Sequence, residues 1–145
     1  MRELPRKLSV EELAELFEGR TRLVDRLAEV EDPLEQGNDV LAAMSEEEKL
    51  EALDAHPAIG ARRLSARSAA EQGSDADPTI LSELAYLNRV YEEKFGFRFV
   101  VFVHGRSKRE ILEVLRERIA RTPEDELDTG CRELVAIARD RWTGV

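Results

Sequence analysis

Three times in this chain a serine precedes a glutamate by three residues at the head of an apolar helical stripe: Ser9-Val10-Glu11-Glu12, Ser45-Glu46-Glu47-Glu48 and Ser107-Lys108-Arg109-Glu110. In each, the hydroxyl can accept a bond from an orphan N–H of the first turn while the glutamate reaches back to the serine N–H. Asp77-Pro78 and Thr122-Pro123 mark two more starts, because proline's fixed φ suits the first helical position and its missing N–H is not needed there. Each start is followed by apolar residues at helical spacing: Leu13, Leu16 and Phe17; Leu50 and Leu53; Ile80, Leu84, Leu87, Tyr91 and Phe95; Ile111, Leu112, Leu115 and Ile119; Leu127, Cys131, Leu134 and Ala138. A further helix is expected from Thr21 to about Val30, with Leu23, Val24 and Leu27 inward, before Asp32-Pro33 interrupts it. Over residues 33–45 the reading is a short turn capped by Asn38 or Asp39 and running through Leu41 and Met44.

One segment is not helical. Phe97-Arg98-Phe99-Val100-Val101-Phe102-Val103, after the expected left-handed stop at Gly96, is rich in β-branched and aromatic residues and reads as a buried extended stretch. No second strand candidate exists to pair with it, so it cannot found a sheet. The expected fold is all-α, about seven helices in a single compact bundle-like domain over residues 1–145, a length near the ~150 residues of one domain.

The charge balance narrows the function. Against 22 Lys+Arg stand 31 Asp+Glu, a formal net charge of −9, which disfavours both the phosphate backbone of nucleic acid and an anionic membrane surface. No apolar run approaches the ~18 residues of a membrane span, and the first residues lack the apolar stretch of a secretory signal. The lone Cys131 excludes an internal disulfide framework and fits a reducing cytoplasm. It lies on the core stripe of the last helix, where a thiol is ordinarily inert. Zinc wants three protein ligands with characteristic spacing, which two isolated histidines do not supply, and no glycine-rich phosphate loop is present.

What remains is a small set of polar residues in unusual places. His56 stands at a helix end before Pro57, where it can be either a catalytic imidazole or a helix-terminal residue favoured by the dipole. His104 follows the apolar run in a turn, the setting of a solvated histidine. Ser68-Ala69-Ala70-Glu71-Gln72 sits in a stretch too poor in large apolar residues to be core, and reads equally as another capping box. Arg141 continues the inward stripe of the last helix; it either faces a partner in the interior or snorkels outward from a frayed end.

Taken in order, His56-Pro57-Ala58-Ile59-Gly60, Ser68-Ala69-Ala70-Glu71-Gln72, the run from Leu87-Asn88-Arg89 through Lys94-Phe95-Gly96-Phe97-Arg98-Phe99-Val100, Gly105-Arg106-Ser107-Lys108-Arg109-Glu110, and the closing Glu133-Leu134-Val135 to Arg141-Trp142 resemble the OHCU decarboxylase family. OHCU is 2-oxo-4-hydroxy-4-carboxy-5-ureidoimidazoline, an intermediate of urate breakdown that these carboxy-lyases convert to (S)-allantoin. The resemblance covers roughly residues 45–143 and departs from the family's usual pattern at Ala58, where an aspartate is frequent, and at Arg98, where a proline is usual. It implies an all-α, cofactor-free and commonly homodimeric enzyme acting on a small molecule; the missing ligand spacing and the closing residues add the expectations of no metal and a cytoplasmic setting. It further implies that His56 and Glu71 are catalytic and that Pro57, Ser68, Gln72, Phe99 and Arg141 bind substrate. The closing Trp142-Thr143-Gly144-Val145 does not match a peroxisomal signal. Two other functions are compatible with the same residues: a non-catalytic helical binding module keeping the family fold, and a decarboxylase of a related ureido-imidazoline. Convergence of His56, Glu71 and Arg141 on one concavity separates the enzyme from the module.

Overall fold

In a computed structural model of the chain, residues 7–57 and 77–143 are described. Among them are seven helices and no strand: α1 (Val10–Leu16), α2 (Arg22–Leu27), α3 (Pro33–Ala42), α4 (Glu46–Asp54), α5 (Pro78–Phe95), α6 (Lys108–Ile119) and α7 (Pro123–Thr143). The all-α class read from the start signals is the observed one.

The local signals act as their chemistry dictates. Ser9, Ser45 and Ser107 each accept a bond from the main chain three residues on, and Glu12, Glu48 and Glu110 each close a reciprocal capping box. Asp77 caps α5 through the Thr79 N–H, with Pro78 in the first turn, and Gly96 ends that helix at φ 79°.

Two expectations for the first third of the chain need correction. Asp32-Pro33 does not merely interrupt a helix; Pro33 opens α3, and the short turn capped by Asn38 or Asp39 is instead the middle of that helix. The reason is the one that applies at Asp77-Pro78, namely that proline fits the first turn of a helix. Helix α2 also ends at Leu27, three residues short of Val30.

Helix α7 organises the packing. It lies against α1, α3 and α4, while α2 fills the space among α1, α3 and α4, and α5 pairs with α6. Close approach of α7 uses two glycines: the Cα of Gly37 faces Val135, and that of Gly130 faces Leu53. The core runs through Leu13, Leu23, Leu27, Leu34, Leu53, Leu84, Ile111, Leu115 and Ala138 without a break. Leu127, expected inward, is only half-buried; Glu126 takes the fully buried place beside it.

The segment 97–103 is extended but pairs with no strand, so its peptide groups must find partners elsewhere. Side chains supply them. The Arg98 N–H donates to Asp54 and the Phe102 N–H to Glu133, while the carbonyls of Val100, Phe102 and Val103 accept from Arg118 and Arg106. Apolar side chains fix the other face: Phe97 and Phe99 meet the ring of Tyr91 edge-on at 5.9 and 5.2 Å. This segment lies beside the end of α4, and that end carries His56.

Candidate active site

His56 emerges one residue beyond the cap of α4, with its N–H bonded to the Leu53 carbonyl at 3.1 Å. Pro57 follows and disfavours helical geometry at the histidine, so the chain leaves the helix there. The side chain is carried inward: His56 is 8% exposed, and its Nδ1 is buried without a hydrogen bond to any described residue. Burial lowers the imidazole pKa to about 4, reinforced by the positive charges of Arg141 and Arg98 and opposed by the Glu18 carboxylate. The ring is therefore neutral at physiological pH.

Arg141 reaches the same neighbourhood from the other end of the sequence. It occupies the last turn of α7 and is buried, with Nη1 donating to the Leu16 carbonyl at 3.0 Å and Nη2 3.0 Å from a Glu18 oxygen. The inward reading of the stripe holds, and the snorkelling alternative does not. Glu18 lies just past the cap of α1 in the left-handed region, at φ 67°, where a non-glycine residue is uncommon. That turn aims its carboxylate at the arginine. The structure thus brings His56 and Arg141 together and adds two charged groups that sequence alone did not place there. Glu18 carried no recognisable signal, and Arg98 stood out only as a departure from the family pattern.

The remaining candidates are placed as follows. Pro57 is half-buried next to His56. The Phe99 ring is enclosed in the core between Tyr91 and the Arg118 guanidinium, whose carbon lies 4.6 Å from the ring centre. Ser68, Glu71 and Gln72 lie outside the described residues. His104 is an exposed turn residue with its ring against Phe102, as expected of a loop histidine. Cys131 is buried on α7, and burial raises its thiol pKa to about 11. Among the described residues no group of three or more His, Cys, Asp or Glu is arranged to hold a metal ion, and no helix is long and apolar enough to cross a membrane.

A family model described as OHCU decarboxylase matches residues 2–143. The chain belongs to the OHCU decarboxylase family. Among curated relatives, the 2-oxo-4-hydroxy-4-carboxy-5-ureidoimidazoline decarboxylase of Haloferax volcanii is 35% identical over 103 residues, covering 67% of this chain and 61% of that protein. The uric acid degradation bifunctional protein TTL of Arabidopsis thaliana is 35% identical over 102 residues, covering 63% of this chain and 32% of the relative. The chain thus spans less than two thirds of the length of these relatives. Among solved structures, a crystal structure of OHCU decarboxylase in the presence of (S)-allantoin superimposes with a TM-score of 0.74 at 25% identity, covering 90% of this chain and 94% of that one.

Proposed function

We propose that this member of the OHCU decarboxylase family removes carbon dioxide from OHCU to give (S)-allantoin, without metal or organic cofactor. The observation that carries the reading is the neutral, buried imidazole of His56 with an unpartnered Nδ1, within electrostatic reach of the buried guanidinium of Arg141.

The chemistry explains why such a pair suffices. When the carboxylate leaves, its bonding electrons remain on the ring carbon, and the neighbouring C=N of the substrate can take them, so no external electron sink is required. A neutral imidazole is the right form to accept the proton of the adjacent hydroxyl as charge develops. The imidazolium so formed is then the acid that returns a proton to carbon on one face, while the ring nitrogen that took the electron pair is protonated by water. Arg141 offers a planar fork to a substrate carboxylate or carbonyl. By the family resemblance, Glu71 has the role of accepting hydrogen bonds from the ureido and ring N–H groups, and Ser68, Gln72 and Pro57 that of binding substrate. Phe99, enclosed in the core, is assigned to the site by the family resemblance.

The reading includes a single domain over residues 1–145, supported by the match over 2–143, and a homodimer, supported by the resemblance. A cytoplasmic setting is supported by the single reduced cysteine.

The test is direct. Freshly generated OHCU is mixed with the purified protein, and carbon dioxide release and the circular dichroism of the product are followed together. Enzymatic protonation on one face gives optically active allantoin at a rate proportional to protein concentration. A racemic product formed at the uncatalysed rate would remove the assignment.

A further inference from the structure

We infer that Arg98 is a positioning residue that holds the His56 main chain, and through it the imidazole, in the working orientation. The inference rests on the reading of His56 as the acid–base group.

Three hydrogen bonds tie Arg98 to the end of α4. Its main-chain N–H donates to the Asp54 carboxylate at 3.1 Å, and its Nη1 donates to the carbonyl of Asp54 at 3.1 Å and to that of His56 at 2.7 Å. The final carbonyls of a helix have no further N–H of that helix to accept from, and here Pro57 has no N–H to offer the turn. One guanidinium nitrogen therefore takes up both carbonyls that flank the Ala55–His56 peptide. With the His56 N–H already on Leu53, the peptide groups on both sides of the histidine are anchored.

The arginine is itself well placed to act as a rigid strut. It sits between Phe97 and Phe99, both buried, at the start of the extended segment. Its side chain is 30% exposed, its Nε is buried without a hydrogen bond, and the Glu92 carboxylate lies 3.8 Å away. The charged groups acting on the imidazole are Arg141 from α7, Glu18 from the turn after α1, and Arg98 itself. Removing the Arg98 cation therefore shifts the imidazole toward easier protonation, while removing its fork loosens the backbone.

The test uses the full chain with four substitutions, Arg98→Met, Arg98→Lys, Asp54→Ala and His56→Asn, each measured for kcat, KM, thermal midpoint and the NMR titration of His56 where it is present. Arg98→Met is expected to lower kcat by about 10- to 100-fold with KM little changed, the scale of a catalytic group displaced by ~1 Å. The His56 titration should move up only slightly, since burial and Arg141 still hold it low. Arg98→Lys, whose ammonium keeps the charge and can reach one carbonyl, should fall between Met and the parent in kcat and leave the titration low. Asp54→Ala should shift kcat in the same direction by less, which keeps the test open if Arg98→Met does not fold. A lower thermal midpoint with unchanged kcat in the folded variants, whether or not the His56 titration moves with the lost charge, would overturn the inference and leave Arg98 as packing. If His56→Asn keeps normal turnover, the acid–base reading fails instead, which the other variants cannot mimic.

Discussion

Arg141 and Glu18 form an ion pair across 3.0 Å with side chains only 1% and 13% exposed, joining the last turn of α7 to the turn after α1. Deleting one partner of a buried pair strands the other charge, a loss of about 3–5 kcal/mol. Arg141→Ala should therefore lower the thermal midpoint as well as activity. Arg141→Lys separates the two effects, because it preserves the charge opposite Glu18 but not the planar fork. Its expected cost is about 1.5–3 kcal/mol in transition-state binding, the range of a charged hydrogen bond, read from the ratio of kcat/KM values. A lysine variant with parental kcat/KM would show that Arg141 serves the fold alone.

His56 gives stability a pH dependence of definite sign. Its pKa is about 4 folded against 6.5 for the ordinary side chain, so between those values the unfolded chain binds a proton that the folded chain does not. Stability consequently falls as pH is lowered from about 6.5 to about 4, and is regained above that window. Denaturant titrations at a series of pH values should show this slope, and His56→Asn should flatten it while reducing turnover by roughly 10²–10⁴-fold. Glu48 acts in a different window. Its carboxyl is held down to about 2 by the Ser45 N–H and by Arg26, so its contribution is lost only as pH falls below about 4.5 toward 2.

Glu126 is the hub of the α5–α6–α7 junction. It is fully buried and accepts from the Tyr91 hydroxyl at 2.6 Å, Arg118 at 2.8 Å and Arg121 at 2.9 Å. Glu126→Ala would strand the Arg118 cation in the core and should destabilise by ~3–5 kcal/mol. Tyr91→Phe loses one hydrogen bond to a charged group and should cost about 1.5–3 kcal/mol. Chemical denaturation of both variants checks the order; equal losses would mean that the arginines, not the carboxylate, set the geometry.

The two close-approach glycines should respond differently to alanine. A Cβ on Gly37 would meet both methyls of Val135 at 3.0 and 3.1 Å, and a β-branched side chain has little rotameric freedom to yield. Gly37→Ala is expected to destabilise by about 1–3 kcal/mol. A Cβ on Gly130 meets the tip of Leu53 at 3.1 Å, a longer side chain that can shift, and the gain in helix propensity of up to ~1 kcal/mol offsets most of the strain. Gly130→Ala should be near neutral, and thermal midpoints of the pair decide the matter.

The legible part of this fold is the part written within four residues. Each capping box joins residues three apart, and each was readable in advance. The start of α3 was equally local but was obscured by Gly37 and Asn38, poor helix formers whose presence weakened the periodic pattern. Gly37 is there to admit Val135, a neighbour 98 positions away in sequence that no local window can contain. Glu126 has the same difficulty: beside Glu124 and Asp125 it looks like one more first-turn carboxylate, and only the tertiary approach of Arg118 and Tyr91 buries it. Within the candidate site, the inward face of Arg141 followed from helical spacing, whereas the partners of Arg98 and Glu18 arise from contacts across 42 and more residues.

The bond from Arg141 to Leu16 spans 125 positions. On the ribosome, α1 is synthesised long before the last turn of α7, and for all that time Leu16 and Glu18 lack Arg141. A nascent intermediate without the last turn of α7 can form its capped helices but not the buried pair, so the joining of α1 to α7 waits on the synthesis of Arg141.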